Sequence, residues 1–358
     1  MKKILLGSTA LVAAGLLAQP TLAADPIKLQ VKGYYQNLVT YSDVDNAPAG
    51  TNYKDFQFRH EGEVHFQGKT TLDNGLTVGF DAQLEIVNVG LSGGQPRDMD
   101  ETYMWLEGGF GKLQLGAENG AAYLLHVDAP SFGLGFDDRN FGPTAQTGGT
   151  ARPNLAGDTP KGTYFTPRIA GFQAGISYSP NVEPQDISGY GFGVISVATG
   201  GLEDNLGLGL NFNHDFGGLT LKASGSYETA DIVGGGQDPE IWAAGLNLGF
   251  GGFTLGGAYQ DSENYNGNGG YVAGADGQVY SLGLSYKTGP WGVSGVYQKT
   301  DIEVGGVSQS NSADEYEVAA MYQVGPGIQF RGGVIYADMD LSTGQDTTTV
   351  FVGTFLSF

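Results

Sequence analysis

Hydrophobic and polar residues alternate with a period of two along most of the chain. Between residues 56 and 69, one side carries Phe56, Phe58, Val64 and Phe66, with His60 as its polar exception. The other side is polar throughout and carries Gln57, Arg59, Glu61, Glu63, His65, Gln67 and Lys69. This period predicts an amphipathic β-strand. The same alternation returns at 76–86, 206–213 and 315–324.

Short Gly- or Pro-containing turns alternate with long Gly-, Asp- and Asn-rich connections, which is typical of antiparallel hairpins. We predict sixteen strands, near 27–41, 55–72, 76–88, 101–110, 112–119, 161–167, 171–179, 204–214, 219–229, 240–250, 253–262, 278–288, 291–301, 314–324, 327–338 and 346–358. The connection 120–160 is exceptional, because structureless loops of about 40 residues are uncommon and usually functional.

The number of strands decides between a soluble sandwich and a closed barrel. A sandwich has about seven to nine strands and a heavily charged outer face, whereas only 15% of these residues are charged. An open sheet of sixteen strands would also leave edges to protect. We therefore predict an all-β fold: a transmembrane antiparallel β-barrel of 16 strands, with short periplasmic turns and long extracellular loops.

The N-terminus predicts export. Lys2 and Lys3 precede an apolar stretch, and Thr21-Leu22-Ala23 resembles a signal-peptidase site. We interpret residues 1–23 as a signal peptide and 24–358 as the barrel domain. Removal of the signal peptide would take the formal charge from −21 to −23, because two lysines are lost. Such an acidic chain is not expected to bind nucleic acid, and the absence of cysteine excludes thiolate chemistry.

Three segments resemble the general bacterial porins, notably those of alphaproteobacteria. They are Phe110-Gly-Lys-Leu-Gln-Leu-Gly116, the run from Tyr164 to Pro180, and the terminal strand that ends at Phe358. The resemblance implies an outer-membrane homotrimer in contact with lipid, and a Phe358 that the barrel assembly machinery reads. It also implies that loop 120–160 folds into the barrel and narrows the pore. One departure concerns Ser131, which stands where family loops often carry a glutamate.

Barrel geometry predicts which charges line the lumen, because sixteen strands leave an aqueous channel. The inward positions expected near mid-height include Glu61 and Glu63 on the second strand. Three basic residues, Lys32, Arg59 and Arg331, are expected to share one wall because the first and last strands pair. If the long loop lies against the opposite side of the barrel, Asp128, Asp137 and Asp138 are expected to face this wall across the lumen.

We predict a channel for passive diffusion of small hydrophilic solutes and ions, with no enzymatic activity. Wall carboxylates outnumber the basic residues and predict moderate cation selectivity; they are Glu61, Glu63, Asp81, Glu85, Glu228, Glu315 and Glu317. The alternatives are a substrate-specific channel, a structural or adhesive barrel, and a barrel enzyme, although His126 and His214 have no evident serine partner. No cofactor is expected, and a loop-bound Ca²⁺ stays open because the external loops are rich in Asp.

Overall fold

The computed structural model describes residues 25–47, 50–86, 99–136, 149–182, 197–265, 271–305, 307–308, 312–339 and 344–358. The predicted signal peptide at 1–23 lies outside the described residues. Among the residues described, no helix is both long and apolar enough to cross a membrane.

Almost all regular structure in these residues is β-strand, with one short helix. The strands are β1 Lys28–Asp45, β2 Phe56–Thr71, β3 Thr77–Glu85, β4 Met99–Gly108, β5 Gly111–Ala117, β6 Pro160–Phe165, β7 Phe172–Asn181, β8 Leu202–Asp215, β9 Leu219–Ile232, β10 Glu240–Phe250, β11 Phe253–Tyr265, β12 Tyr271–Thr288, β13 Trp291–Val304, β14 Val307–Ser308, β15 Ala313–Gly325, β16 Ile328–Met339 and β17 Gln345–Ser357. The helix, α1, spans Ala121–Leu124 between β5 and β6.

The sheet closes on itself. Neighbouring strands pair antiparallel in chain order, and β1 pairs with both β2 and β17, so that Tyr34 lies opposite Glu63 on one side and Ser357 on the other. The two-residue β14 pairs only with the end of β13, while β15 takes the next place in the ring. The predicted closed barrel of sixteen antiparallel strands is therefore confirmed. In the described part of the chain, closure leaves no free edge in the sixteen-strand ring, which a hydrocarbon environment requires.

Several strands run further toward the long connections than the sequence predicts. Between the predicted strands 253–262 and 278–288, the described residues 263–265 and 271–277 also lie in strands, because β11 and β12 continue together as far as Tyr265 opposite Tyr271. This outer part of the hairpin includes a register shift between Glu263 and Tyr265. The sequence of this outer part lacks the regular alternation of hydrophobic and polar residues, so the period of two did not predict these strand extensions.

Alternate side chains face opposite sides of the barrel wall. On β12 the inward Val279 is 1% exposed, whereas the outward Leu282 and Leu284 are 57% and 51% exposed. Exposed apolar side chains also cover the outer face of most other strands. An apolar belt of this extent is unusual on a protein surrounded by water, and it is the surface that a membrane barrel presents to lipid.

The short turns fit tightly because glycine adopts left-handed backbone angles. Gly251 and Gly252 connect β10 to β11 with φ values of 57° and 88°, and the flanking Phe250 and Phe253 pair directly. Two consecutive residues with positive φ are the requirement of a type I′ hairpin turn. We call this end of the barrel the turn end, and the opposite end the loop end.

Candidate functional site: the lumen and its inserted segment

The long connection between β5 and β6 enters the barrel. We call residues 118–159 the inserted segment, of which 118–136 and 149–159 are described. Its first part, α1, lies against β7 and β9: the Ala121 amide donates a hydrogen bond to Ser177 Oγ at 3.1 Å, and Ser226 Oγ donates to the Ala122 carbonyl at 3.1 Å. The contact is close, since a Cβ at Gly209 on β8 would collide with the carbonyl oxygen of Ala121.

From α1 the inserted segment continues across the inner wall. The Val127 amide donates to Ser224 Oγ at 2.9 Å, and Asn247 Nδ2 donates to the Asp128 carbonyl at 3.0 Å. Further along, the Phe132 amide donates to Ser294 Oγ on β13 at 2.8 Å. Small polar side chains on the inner wall thus provide hydrogen-bond partners for backbone groups of the segment, which is not paired with a strand here.

A carboxylate on β15 holds the next turn of the segment. Glu317 accepts hydrogen bonds from Ser131 Oγ at 2.6 Å, from the Leu134 amide at 2.8 Å and from the Gly135 amide at 3.1 Å. Arg331 Nη1 on β16 donates to the carbonyl oxygen of Gly133 at 3.3 Å. Ser131, the position that lacks the expected glutamate, therefore binds a carboxylate that the wall supplies.

Apolar packing extends this contact to the closing strands. Phe136 is 2% exposed and packs in a cluster with Leu38 of β1, Ile335 of β16 and Phe351 of β17. The segment therefore crosses the lumen from β7 to the seam where β17 meets β1. Asp137 and Asp138 come next in the sequence and lie outside the described residues.

The returning part of the segment is held by a second wall carboxylate. Glu228 on β9 accepts hydrogen bonds from the amides of Leu155 at 3.0 Å and Ala156 at 3.2 Å, and from Asn205 Nδ2 at 3.1 Å. Lys161 at the start of β6 donates to the carbonyl oxygens of Glu118, Gly157 and Thr159, which joins the two ends of the segment.

Asp128 is paired within the inserted segment. Its carboxylate forms a bidentate ion pair with Arg152, whose guanidinium lies 4.4 Å from the centre of the Tyr123 ring. His126 Nε2 lies 3.7 Å from the same carboxylate, and its side chain is fully buried. Burial lowers the pKa of His126 to about 4 against the opposing effect of Asp128, so the imidazole is neutral at pH 7.

The predicted basic residues share one wall, although they differ in height. Arg331 on β16 and Arg59 on β2 stand in one row across the closing strands. The residues between them in this row are Gly353 on β17 and Leu38 on β1. Lys32 lies six residues nearer the turn end on β1, where its ammonium donates to Gln67 at 2.7 Å. The segment contacts this wall directly where Arg331 binds Gly133, whereas Asp128 lies against β10. That the loop aspartates face the basic wall stays a prediction.

The predicted carboxylates of β2 lie on the inward face beneath other polar side chains. Tyr34 Oη donates to Glu61 at 3.0 Å and to Glu63 at 3.2 Å, and His65 Nε2 lies 3.0 Å from Glu63. Gln36 Nε2 also donates to Glu61 at 3.3 Å. These contacts leave Glu61 and Glu63 only 4% and 9% exposed, less than expected for residues lining water.

Among the residues that the structure describes, two groups of three carboxylates have the spacing that a cation could use. Glu61, Glu63 and Glu85 form one, and Glu101, Glu118 and Asp158 form the other, with oxygens within 4.8 Å of one another in each group. Burial, followed by the nearby Asp100, raises the pKa of Asp158 to about 6. The second group thus carries mutual repulsion that a proton or a cation would relieve. The expected Ca²⁺ in the external loops stays a prediction.

Sequence reasoning did not identify the residues that position the segment. Glu228 and Glu317 have the inward spacing of lumen carboxylates, and we had counted both among them; in fact the segment covers them. The sequence did not predict a role for Arg152 or Lys161, because a single basic residue forms no motif. The one usable signal was the run of inward serines and glycines on β7, β8 and β9, which leaves room for a chain to lie against the wall.

Comparison with known proteins identifies the family and supports the barrel fold. A family model described as Gram-negative porin matches residues 7–342. No curated protein matches the chain. Solved structures with a similar fold include a porin refined at 1.8 Å resolution, with 22% identity and a TM-score of 0.61 over 92% of this chain and 100% of that one.

Two further structures are similar at lower identity. An anion-selective porin from Comamonas acidovorans is 19% identical, with a TM-score of 0.65. OmpT, an outer membrane protein of Vibrio cholerae solved in a trimer form, is 12% identical, with a TM-score of 0.63. Each match covers 93% of this chain and 100% of the other.

Proposed function

Because the chain belongs to the Gram-negative porin family and forms an outer-membrane channel, we propose that small hydrophilic solutes and ions cross it by passive diffusion. The observation that carries this proposal is the inserted segment, which narrows a sixteen-strand lumen and is attached to its wall by Glu228 and Glu317. A barrel of this width otherwise leaves an open aqueous channel. A fixed narrowing limits solutes by size without requiring a moving gate.

The constriction that we propose lies between the inserted segment and the wall formed by β1 and β2. Arg59, Glu61 and Glu63 lie on the inward face of β2, with Lys32 on β1 and Arg331 on β16 nearby. The role of Asp137 and Asp138 is proposed from sequence alone: they follow Phe136, which packs on Leu38 of β1. Asp128 contributes less than we expected, since Arg152 neutralises it.

We further propose that the channel prefers cations moderately. The chain carries 38 acidic and 17 basic residues, so its summed field concentrates cations at the mouth. Two of the wall carboxylates, Glu228 and Glu317, are covered by the segment and add little, while Arg59 and Arg331 oppose the preference. One porin of similar fold is anion-selective. The sign of ion selectivity therefore depends on the charges along the channel and not on the barrel fold itself.

The assembly that we propose is a homotrimer, as in the OmpT structure solved in a trimer form. The proposal includes removal of residues 1–23 on export and recognition of the terminal Phe358 by the assembly machinery. Supporting the latter, the backbone of Phe358 exchanges two hydrogen bonds of 3.0 Å with Gly33 of β1, so the last residue completes the closure of the barrel. Light scattering in mild detergent would measure the oligomer directly.

Swelling of protein-containing liposomes in isotonic solutes tests diffusion and its alternative. We expect swelling rates that fall smoothly as neutral sugars grow larger and that do not depend on sugar stereochemistry. A substrate-specific channel would instead favour one solute and saturate with its concentration. Absence of swelling with every small sugar would contradict the diffusion proposal.

A further inference from the structure

Five lysines surround the mouth of the lumen at the turn end. Each lies within four residues of the turn end of its strand, and we call them the lysine ring. They are Lys28 on β1, Lys69 on β2, Lys112 on β5, Lys222 on β9 and Lys287 on β12. Because these strands are spread around the closed sheet, the five charges border most of the rim and do not form a single patch.

The alternation of side chains along each strand directs the lysine ring toward the lumen. Lys222 is two residues from Ser224, whose hydroxyl binds the inserted segment. Lys287 is two residues from Ser285, which is buried on the inner side of the wall. Because side chains two residues apart on a strand lie on the same face, both lysines face the water-filled side of the wall.

The other three lysines face the lumen for the same reason. Lys112 is two residues from the buried Gln114, and Lys69 is two residues from Gln67 on the inward face of β2. Lys28 lies directly opposite Lys69 on the neighbouring strand, so the two side chains share that face. Like charges directly opposite each other on adjacent strands repel. An anion held between Lys28 and Lys69 relieves this repulsion.

Three of the five ammonium groups have no partner within the described part of the chain. The side chains of Lys69, Lys222 and Lys287 are exposed and make no hydrogen bond or ion pair there. Lys28 lies 3.5 Å from Asp25, but the two side chains are 77% and 84% exposed, and solvent weakens such a surface pair. The positive charge of the lysine ring is therefore available to a solute in the mouth.

Acidic side chains are scarce at this end of the lumen. At inward positions within four residues of the turn end, the described strands carry only Glu107 on β4 and Asp215 on β8. The carboxylate of Asp215 already accepts hydrogen bonds from the amides of Gly217 and Gly218, at 2.8 and 2.9 Å. The balance reverses toward the loop end, where the two groups of three carboxylates lie. The lumen is therefore polarised along its axis, although the chain as a whole is acidic.

We infer that the lysine ring binds solutes with two or more negative charges, such as phosphate esters and polycarboxylates, at the turn-end mouth. Rings of basic side chains are a means by which pores select anions and phosphates. Lysine carries a compact charge with three N–H donors on a flexible chain, so several ammonium groups can converge on one polyvalent anion. The inference rests on the proposed diffusion channel and adds a direction to it, because such anions concentrate at the turn end and cations at the loop end.

Block of single channels by inorganic tripolyphosphate tests the inference. The purified protein is inserted into a planar bilayer of phosphatidylcholine, whose headgroups carry no net charge, in about 0.1 M KCl, where charges are screened over roughly 10 Å. Tripolyphosphate is added to one side of a single channel and, after washing, to the other side. Conductance steps recorded before the addition test the diffusion channel on the same molecule, so the two proposals fail separately.

We expect the half-blocking concentration of tripolyphosphate to be several-fold lower from one side of the channel than from the other. Replacing Lys69 and Lys222 together by glutamine should remove most of this difference, because both side chains are exposed and bind no other residue described. Lys299→Gln is the matched control, since Lys299 pairs with Asp301 and Asp314 away from the turn end and should leave the block unchanged. In about 1 M KCl the difference should disappear as screening increases.

Two results would overturn the inference. One is equal block from the two sides of the unmodified channel, which needs no variant to fold. The other is a difference between sides that persists in the double variant, or in Lys287→Gln combined with Lys69→Gln if the first pair inserts poorly. Either result, together with normal conductance steps, would leave the diffusion channel in place and remove the anion site alone.

Discussion

The carboxylate of Glu317 on β15 accepts a hydrogen bond from the hydroxyl of Ser131 at 2.6 Å, across 186 residues of sequence. The same carboxylate accepts hydrogen bonds from the backbone amides of Leu134 and Gly135. Glu317 thereby provides hydrogen-bond acceptors to the backbone of the inserted segment, as a neighbouring strand does for each strand of the sheet. We expect the width of the lumen to depend on this contact and on the matching contact at Glu228.

Replacement of Glu317 by glutamine should loosen the segment. The amide retains one acceptor oxygen but loses the charge that strengthens three hydrogen bonds, and charge-assisted bonds contribute about 1.5–3 kcal/mol each. We expect noisier single-channel currents with more frequent changes of level, and a lower thermal midpoint. Glu61→Gln on β2 removes an equal charge without touching the segment, so its currents should remain quiet. Equal noise in both variants would contradict the role of Glu317.

A methyl group at Gly245 should displace the segment from the wall. A Cβ there would collide with the carbonyl oxygen of Val127, whereas a Cβ at Gly225, on the outer face of β9, meets nothing within 4 Å. We expect Gly245→Ala to cost about 1–3 kcal/mol of stability by overpacking and to alter conductance. Gly225→Ala should leave both properties unchanged. Urea unfolding of the two variants in the same detergent makes the comparison.

Acid should weaken the protein through His126. Its pKa is lowered to about 4 in the folded state from 6.5, so the unfolded state binds the proton first as the pH falls. Stability is therefore complete above pH 6.5 and declines between pH 6.5 and 4, by roughly 3 kcal/mol in total. Replacing His126 by glutamine should remove much of this decline.

The control for this titration is His214, which is exposed on the outer face of β8 near the turn end. His214→Gln should keep the acid sensitivity of the natural chain. Unfolding free energies of the two variants, measured between pH 7 and pH 4.5, decide the matter. If His126→Gln retains the full decline, groups other than this histidine cause it.

The fold could be predicted much further than the site. β3 at Thr77–Glu85 falls within the predicted 76–88, because a wall with lipid on one side leaves a period of two in the sequence. The site could not be predicted in the same way. Glu61 and Glu317 have the same local pattern, an acidic residue at an inward position of an alternating strand. Only the path of a segment far away in sequence shows that this segment binds Glu317, whereas Glu61 is covered by Tyr34 and Gln36 of the neighbouring strand.

The paired carboxylates of β2 should contribute to ion selectivity. Glu61 and Glu63 lie next to each other on the inward face, and a unit charge at 4 Å in water is worth about 1 kcal/mol, or roughly a fivefold change in local ion concentration. Removing both charges by glutamine substitution should move the reversal potential in a KCl gradient toward zero. Asp73→Asn, in the turn between β2 and β3, changes charge outside the lumen and should have little effect. The difference should shrink at high salt as screening increases.

Single-channel recording in planar bilayers tests the central claim most directly. The purified protein should produce stepwise conductance that rises with KCl concentration, and its reversal potential in a KCl gradient should show a moderate preference for K⁺ over Cl⁻. A preference for Cl⁻ at low salt would contradict the selectivity proposal alone. Protein that is folded and inserted but produces no conductance steps would contradict the account of this barrel as an open diffusion channel.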